Sequence, residues 1–158
     1  MRRVLAGTVI AVCLASTANA SSWLETGREG LELCAENLKD KRAVQTAMDQ
    51  AGWRYEGSEG TVKGYSKDGR RIIVIHGEWH PRKLACGIMV RKMTPDQAIE
   101  MAKAFLPNIA DAKSSKRSKP DSIAEWTGRF QGVAVRLAAT REGNIGINHG
   151  AAVVLTEE

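Results

Sequence analysis

Two histidines, a carboxylate and a tryptophan fall together at His76-Gly77-Glu78-Trp79-His80. Imidazole nitrogens are common metal ligands and general bases, and a carboxylate between them would suit either task. Geometry restricts the idea. Residues four apart on a flat strand lie about 13 Å from each other, whereas a zinc–nitrogen bond is about 2 Å long. His76 and His80 can share an ion only if the chain folds back between them. Gly77 and Pro81 bracket such a turn, so the stretch is expected to form a hairpin loop of about five or six residues. Zinc also wants a third protein ligand. The remaining histidine, His149, belongs to a distant strand, and the H-E-x-x-H helix pattern is absent. No metal and no cofactor are expected. The other use of the stretch is contact. Trp79 at a loop tip, followed by His80, Arg82 and Lys83, resembles a protein-contact element, unless the indole folds back onto a sheet.

The rest of the chain is poor in reactive constellations. Gly57, Gly60 and Gly64 precede Tyr65 without the G-K-[ST] of a phosphate loop. No G-x-S-x-G is present, and no pair of carboxylates is set for acid–base work. Lys113, Lys116, Arg117 and Lys119 form a basic run among serines. It suits an anionic surface such as lipid head groups or a cell-wall polymer, or simply a solvated loop. Without interleaved aromatic residues it does not suit base stacking.

The N-terminus is the strongest signal. Arg2 and Arg3, the mostly apolar run Val4 to Ala15 and the small-x-small Ala18-Asn19-Ala20 make a secretory signal peptide over 1–20, cut after Ala20. The apolar run is too short for a stable transmembrane helix. The expected mature chain, 21–158, suits one domain. Losing two arginines from a net charge of +5 leaves it only slightly basic, and with export this gives no reason to expect a nucleic-acid partner. Cys13 leaves with the signal. Cys34 and Cys86 remain as an even pair in an oxidising compartment, and a disulfide between them is the expectation.

These residues must be positioned by helices and strands. Leu31, Cys34 and Leu38 lie on one helical stripe; Val44, Ala47, Met48 and Ala51 lie on another. One straight helix cannot present both stripes to one core, so two helices are expected, the second capped by Asp40 and stopped at Gly52. Strands are expected from Trp53, over 61–66, over 71–76 with an Asp68-Gly69 turn before it, and over 84–91. In the last, Leu84, Cys86, Ile88 and Val90 share a face, which points Cys86 towards the helices. Thr94-Pro95-Asp96-Gln97 opens a further helix with a capping box, ended by Pro107. Residues 108–122 are expected as a loop. Strands then cover 123–129, 133–140 and 145–155, with turns at Phe130-Gln131-Gly132 and Glu142-Gly143-Asn144.

With Cys34, the segment Asp40-Lys41-Arg42-Ala43-Val44, the Ala51-Gly52-Trp53 motif and Cys86, the first half of the mature chain resembles small secreted bacterial proteins of unassigned function. The resemblance implies an exported α+β domain with a Cys34–Cys86 bridge and carries no activity. The fold class expected is α+β: two N-terminal helices, an antiparallel sheet of about six or seven strands in two runs, and one helix between the runs. The function expected is a non-enzymatic periplasmic or secreted domain that binds a protein or a cell-envelope component through Trp79, His80 and Arg82. A small envelope hydrolase or metalloenzyme using His76, Glu78 and His80 is the alternative.

Overall fold

The computed structural model describes residues 17–80, 83–145 and 148–158. Helices α1 (Thr17–Glu36) and α2 (Lys41–Gln50) come first. Strands β1 (Arg54–Glu59), β2 (Val62–Lys67), β3 (Ile72–His80) and β4 (Lys83–Val90) follow. Helix α3 (Pro95–Phe105) precedes β5 (Ala110–Ser114), β6 (Ser122–Phe130), β7 (Val133–Ile145) and β8 (Asn148–Glu157). The strands form one antiparallel sheet in the order β1-β2-β3-β4-β8-β7-β6-β5. Two four-stranded meanders, each introduced by helix, thus abut where β4 pairs with β8. The class is α+β, with eight strands rather than six or seven.

The extra strand is β5, set within the expected loop over 108–122. Its residues are all exposed, so no apolar alternation marks it. β1 runs on through Gly57 and Ser58 by way of a bulge after Tyr55. β7 passes through Glu142-Gly143-Asn144, expected as a turn, with a register shift between Thr140 and Gly143. Ladder pairing there supplies the backbone hydrogen bonds that a turn would have left to solvent. The stretch from His76 to His80 is strand rather than loop. Gly77 marks a close approach: a Cβ there would lie 2.6 Å from the Thr61 carbonyl oxygen.

The helix boundaries follow local chemistry. Asp40 caps α2 by accepting from the Arg42 and Ala43 amides at 2.8 and 3.1 Å. Those amide donors hold its carboxyl below the usual carboxylate range. Thr94 and Gln97 form the expected reciprocal box at the start of α3. The expected cleavage point after Ala20 falls in the first turn of α1, so cutting there would spare the rest of the helix and leave serines at its new start.

The three helices of the described residues pack on one face of the sheet. Leu31, Cys34, Leu38, Val44, Met48 and Phe105 meet Val74, Cys86, Ile88, Val135, Leu137 and Leu155 in one core. Cys34 of α1 and Cys86 of β4 form the disulfide across this interface, with Cα atoms 5.9 Å apart and no solvent exposure. Among the described residues no helix is long and apolar enough to cross a membrane.

Candidate functional site

Strand alternation divides the His76–His80 stretch between two sides of the sheet. His76 faces the helices and is fully buried. Its Nε2 lies 2.8 Å from the Leu38 carbonyl oxygen, so the tautomer protonated at Nε2 donates there. Nδ1 is buried with no partner among the described residues. Burial pushes the imidazole pKa down, and the Leu38 bond offsets this only in part. Glu78, on the same side but at the rim, lies 3.7 Å from Lys41 of α2. His76 is therefore a wedge between β3 and the end of α1, out of reach of a substrate in solution. His149 is exposed on β8, its backbone carbonyl accepting from Lys92 at the far end of β3 and β4. Among the described residues no group of three or more His, Cys, Asp or Glu side chains is arranged to hold a metal.

Trp79 points the other way. Among the described residues it is one of two large apolar side chains left exposed, at 42 %. The side chain of His80 and all of Arg82 lie outside the described residues. Trp79 stands at one end of a trough on the helix-free face, an open hollow of about 360 Å3 crossing β3, β4, β8 and β7. Ile75, Met89, Ala138, Ala152 and Val154 line its floor. The register brings them together: Ile75 is opposite Gly87, Gly87 opposite Val154, and Val154 opposite Ala138. The hollow exists because small residues occupy this face. A Cβ on Gly87 would sit 2.9 Å from Ile75 Cγ1.

No family model matches this chain, and no curated protein or solved structure does either. The trough is thus to be read on its own chemistry.

The end opposite Trp79 is closed by a strap, residues 115–121, between β5 and β6. Glu125 fastens it. The Glu125 carboxylate is fully buried. It accepts from the Ser118 amide at 2.7 Å, the Ser118 hydroxyl at 2.9 Å and Arg136 Nη1 at 3.0 Å. Burial alone would raise its pKa, but bonds from Ser118, Ser122 and Arg136 outweigh that and hold it below the ordinary value. Arg136 also reaches Glu158 at 2.7 Å, and the two carboxylates keep its guanidinium charged. The rim therefore mixes signs: Lys83, Lys119 and Arg136 against Asp121, Glu157 and Glu158.

Sequence reasoning reached Trp79 but missed the trough, which has a sequence signal nonetheless. Ile72-Ile73-Val74-Ile75, Ile88-Met89-Val90 and Ala151-Ala152-Val153-Val154-Leu155 are unbroken apolar runs. Such runs belong to strands covered on both faces, whereas a strand with one solvated face alternates.

Proposed function

We propose that the chain is an exported, non-enzymatic binding domain that receives a protein partner in the trough of its helix-free sheet face. The observation that carries this is the apolar floor between Trp79 and the strap, on which no helix of the described residues packs although the other face carries three. A half-exposed tryptophan beside an apolar floor, ringed by charges of both signs, has the anatomy of a protein contact: a desolvated centre and a polar rim. The trough is open along its length and lies near the lower limit of volumes typical for enclosed small-molecule sites. A protruding loop that inserts one or two apolar side chains suits it better. His80 and Arg82, next to Trp79 in the chain, belong to the proposed contact on sequence grounds. The buried disulfide is consistent with export.

The test uses a photo-reactive residue in place of Ala138. It should cross-link a protein of the cell envelope, and the adduct partner, once purified, should bind the unmodified chain. Trp79→Ala should weaken that binding about 10- to 100-fold, the range of an interface anchor, and Ala138→Trp should abolish it by filling the floor. A partner that binds Ala138→Trp as tightly as the parent removes the proposal. A small apolar molecule found by native mass spectrometry, and displaced by Ala138→Trp, would move the trough to ligand binding instead.

A further inference from the structure

The sheet has two very different ends. At one, β3 begins, β4 ends, β6 begins, β7 ends and β8 begins, as the pairs Ile72–Val90, Met89–Ala152, Thr140–Ala152 and Ser122–Thr140 show. The turn before β3, the loop after β4, the strap before β6 and the end of β7 therefore gather there. They carry Arg71, Arg91, Lys92, Lys116, Arg117 and Arg141, and all but the half-buried Arg71 are exposed. The acids described at this end are fewer: Asp68, which lies 3.8 Å from Arg71, Asp121, Asp96 in the first turn of α3, Glu25 of α1, and Glu56 of β1, which is paired with Arg70 of the turn. At the other end several cations stand beside anions: Lys41 faces Glu78, Lys39 faces Glu157, and Arg136 reaches Glu158. The basic run noticed in the sequence is thus one part of a larger cationic surface that the fold assembles from four segments.

A second observation points to what this surface meets. Helix α1 enters the fold at the same end, where the Arg71 guanidinium lies over the Trp23 ring. The sequence that leads into α1 is the arginine-flanked apolar run Val4 to Ala15. A bilayer that held that run would lie nearest this end of the sheet.

We infer that the cationic end of the sheet docks the domain on an anionic phospholipid surface. From β3 to β6 is four strand spacings, about 19 Å. That is too wide for a single phosphate and suits several head groups in one plane. Lysine and arginine close to an anionic bilayer each raise binding about fivefold, and the attraction decays within about 8 Å at physiological salt. Exposed cations on loops and turns are within that range of a flat surface. Docked in this way the sheet stands on end. Trp79, at the opposite end, and the trough stay open to a partner.

The experiment is co-sedimentation of the purified protein with vesicles. One set is phosphatidylcholine alone; the other contains phosphatidylglycerol at about one lipid in three, an anionic content chosen to develop the surface potential. The protein should sediment with the anionic set at 50 mM salt, on the order of the low-salt regime, and binding should fall more than about tenfold at 0.5 M. Replacing Arg91, Lys92, Lys116 and Arg117 by glutamine should lower binding by about fivefold per residue. None of these four lines the trough. Lys39→Gln with Lys41→Gln, at the other end, should change it little. Circular dichroism confirms that each variant is folded. Equal binding to both vesicle sets, as an inserted apolar segment alone would give, overturns the inference. So does an equal loss in the two groups of variants, or binding to an anionic polysaccharide without binding to vesicles.

Discussion

Glu78 and Trp79 are neighbours in the chain and face opposite sides of the sheet. Glu78 turns towards Lys41 of α2, and Trp79 turns over the trough. One peptide unit thus separates the side that is packed by helices from the side that carries the trough. The division has an optical consequence. Of the four tryptophans, Trp53 is buried at 3 % exposure and Trp79 is exposed at 42 %. Trp79→Phe should remove the largest share of acrylamide-quenchable fluorescence, and Trp53→Phe almost none. Because Trp79 is half in solvent, its replacement should cost no more than about 1 kcal/mol of stability. A large loss of stability would mean that the indole is part of the core and unavailable for contact.

The disulfide joins α1 to β4 across the core and spans 52 positions of sequence. Closing a loop of that length removes unfolded-state entropy worth about 4 kcal/mol at most. Cys34→Ala with Cys86→Ala should lower the melting temperature by up to roughly 15 °C. Both sulfurs are fully buried, so reductant should act slowly on the native protein and fast once denaturant is added. Thiol labelling after timed reduction separates the two cases, and rapid reduction of the native chain would contradict the burial.

Helix α1 lies unusually close to the sheet at Gly30. A Cβ there would come within 2.5 Å of the Trp53 ring and 2.7 Å of Val74 Cγ2. Neither neighbour can retreat, since both are buried in the core. Gly30→Ala should therefore destabilise by about 1–3 kcal/mol, against the usual gain from alanine within a helix. A denaturant melt decides it. Unchanged or raised stability would show that α1 can lift from the sheet.

Helices α2 and α3 were legible in the sequence because each carries its own boundary chemistry. Asp40 and Thr94 offer side-chain acceptors where amides would otherwise go unpaired, and the two apolar stripes of 31–51 disagree in direction. The pairing of Cys34 with Cys86 was legible through the even cysteine count expected after the signal and through strand parity. Three features were not. β5 is an exposed edge strand held by its partner rather than by buried side chains, so no local pattern announces it. β3 continues through Gly77, a residue that reads as a turn, because the Thr61–Val62 backbone needs the space a Cβ would take. The trough depends on which strands lie side by side, and β4 meets β8 across most of the chain length. Only topology brings Ile75 and Ala138 to the same floor.

Two buried titratable groups should divide the acid response of this protein into separate steps. His76 has a folded pKa below its ordinary 6.5, chiefly through burial. Between those two values the unfolded chain binds the proton more readily, so stability is full above about 6.5 and is lost as pH falls towards the folded pKa. Glu125 is also held below its ordinary 4.5, here by bonds from Ser118, Ser122 and Arg136 that outweigh burial. Its contribution is full above about 4.5 and is lost as pH falls further, through the folded pKa. Urea melts across pH should therefore show a first loss that His76→Gln flattens and a second, more acidic loss that Glu125→Gln flattens. Glu125→Ala should in addition cost about 3 kcal/mol near neutral pH, because it leaves Ser118 and Arg136 without their buried partner. Hydrogen exchange should then rise first in the strap at 115–121. If exchange rises evenly across the sheet instead, Glu125 holds the whole β6–β7 pair and not the strap in particular.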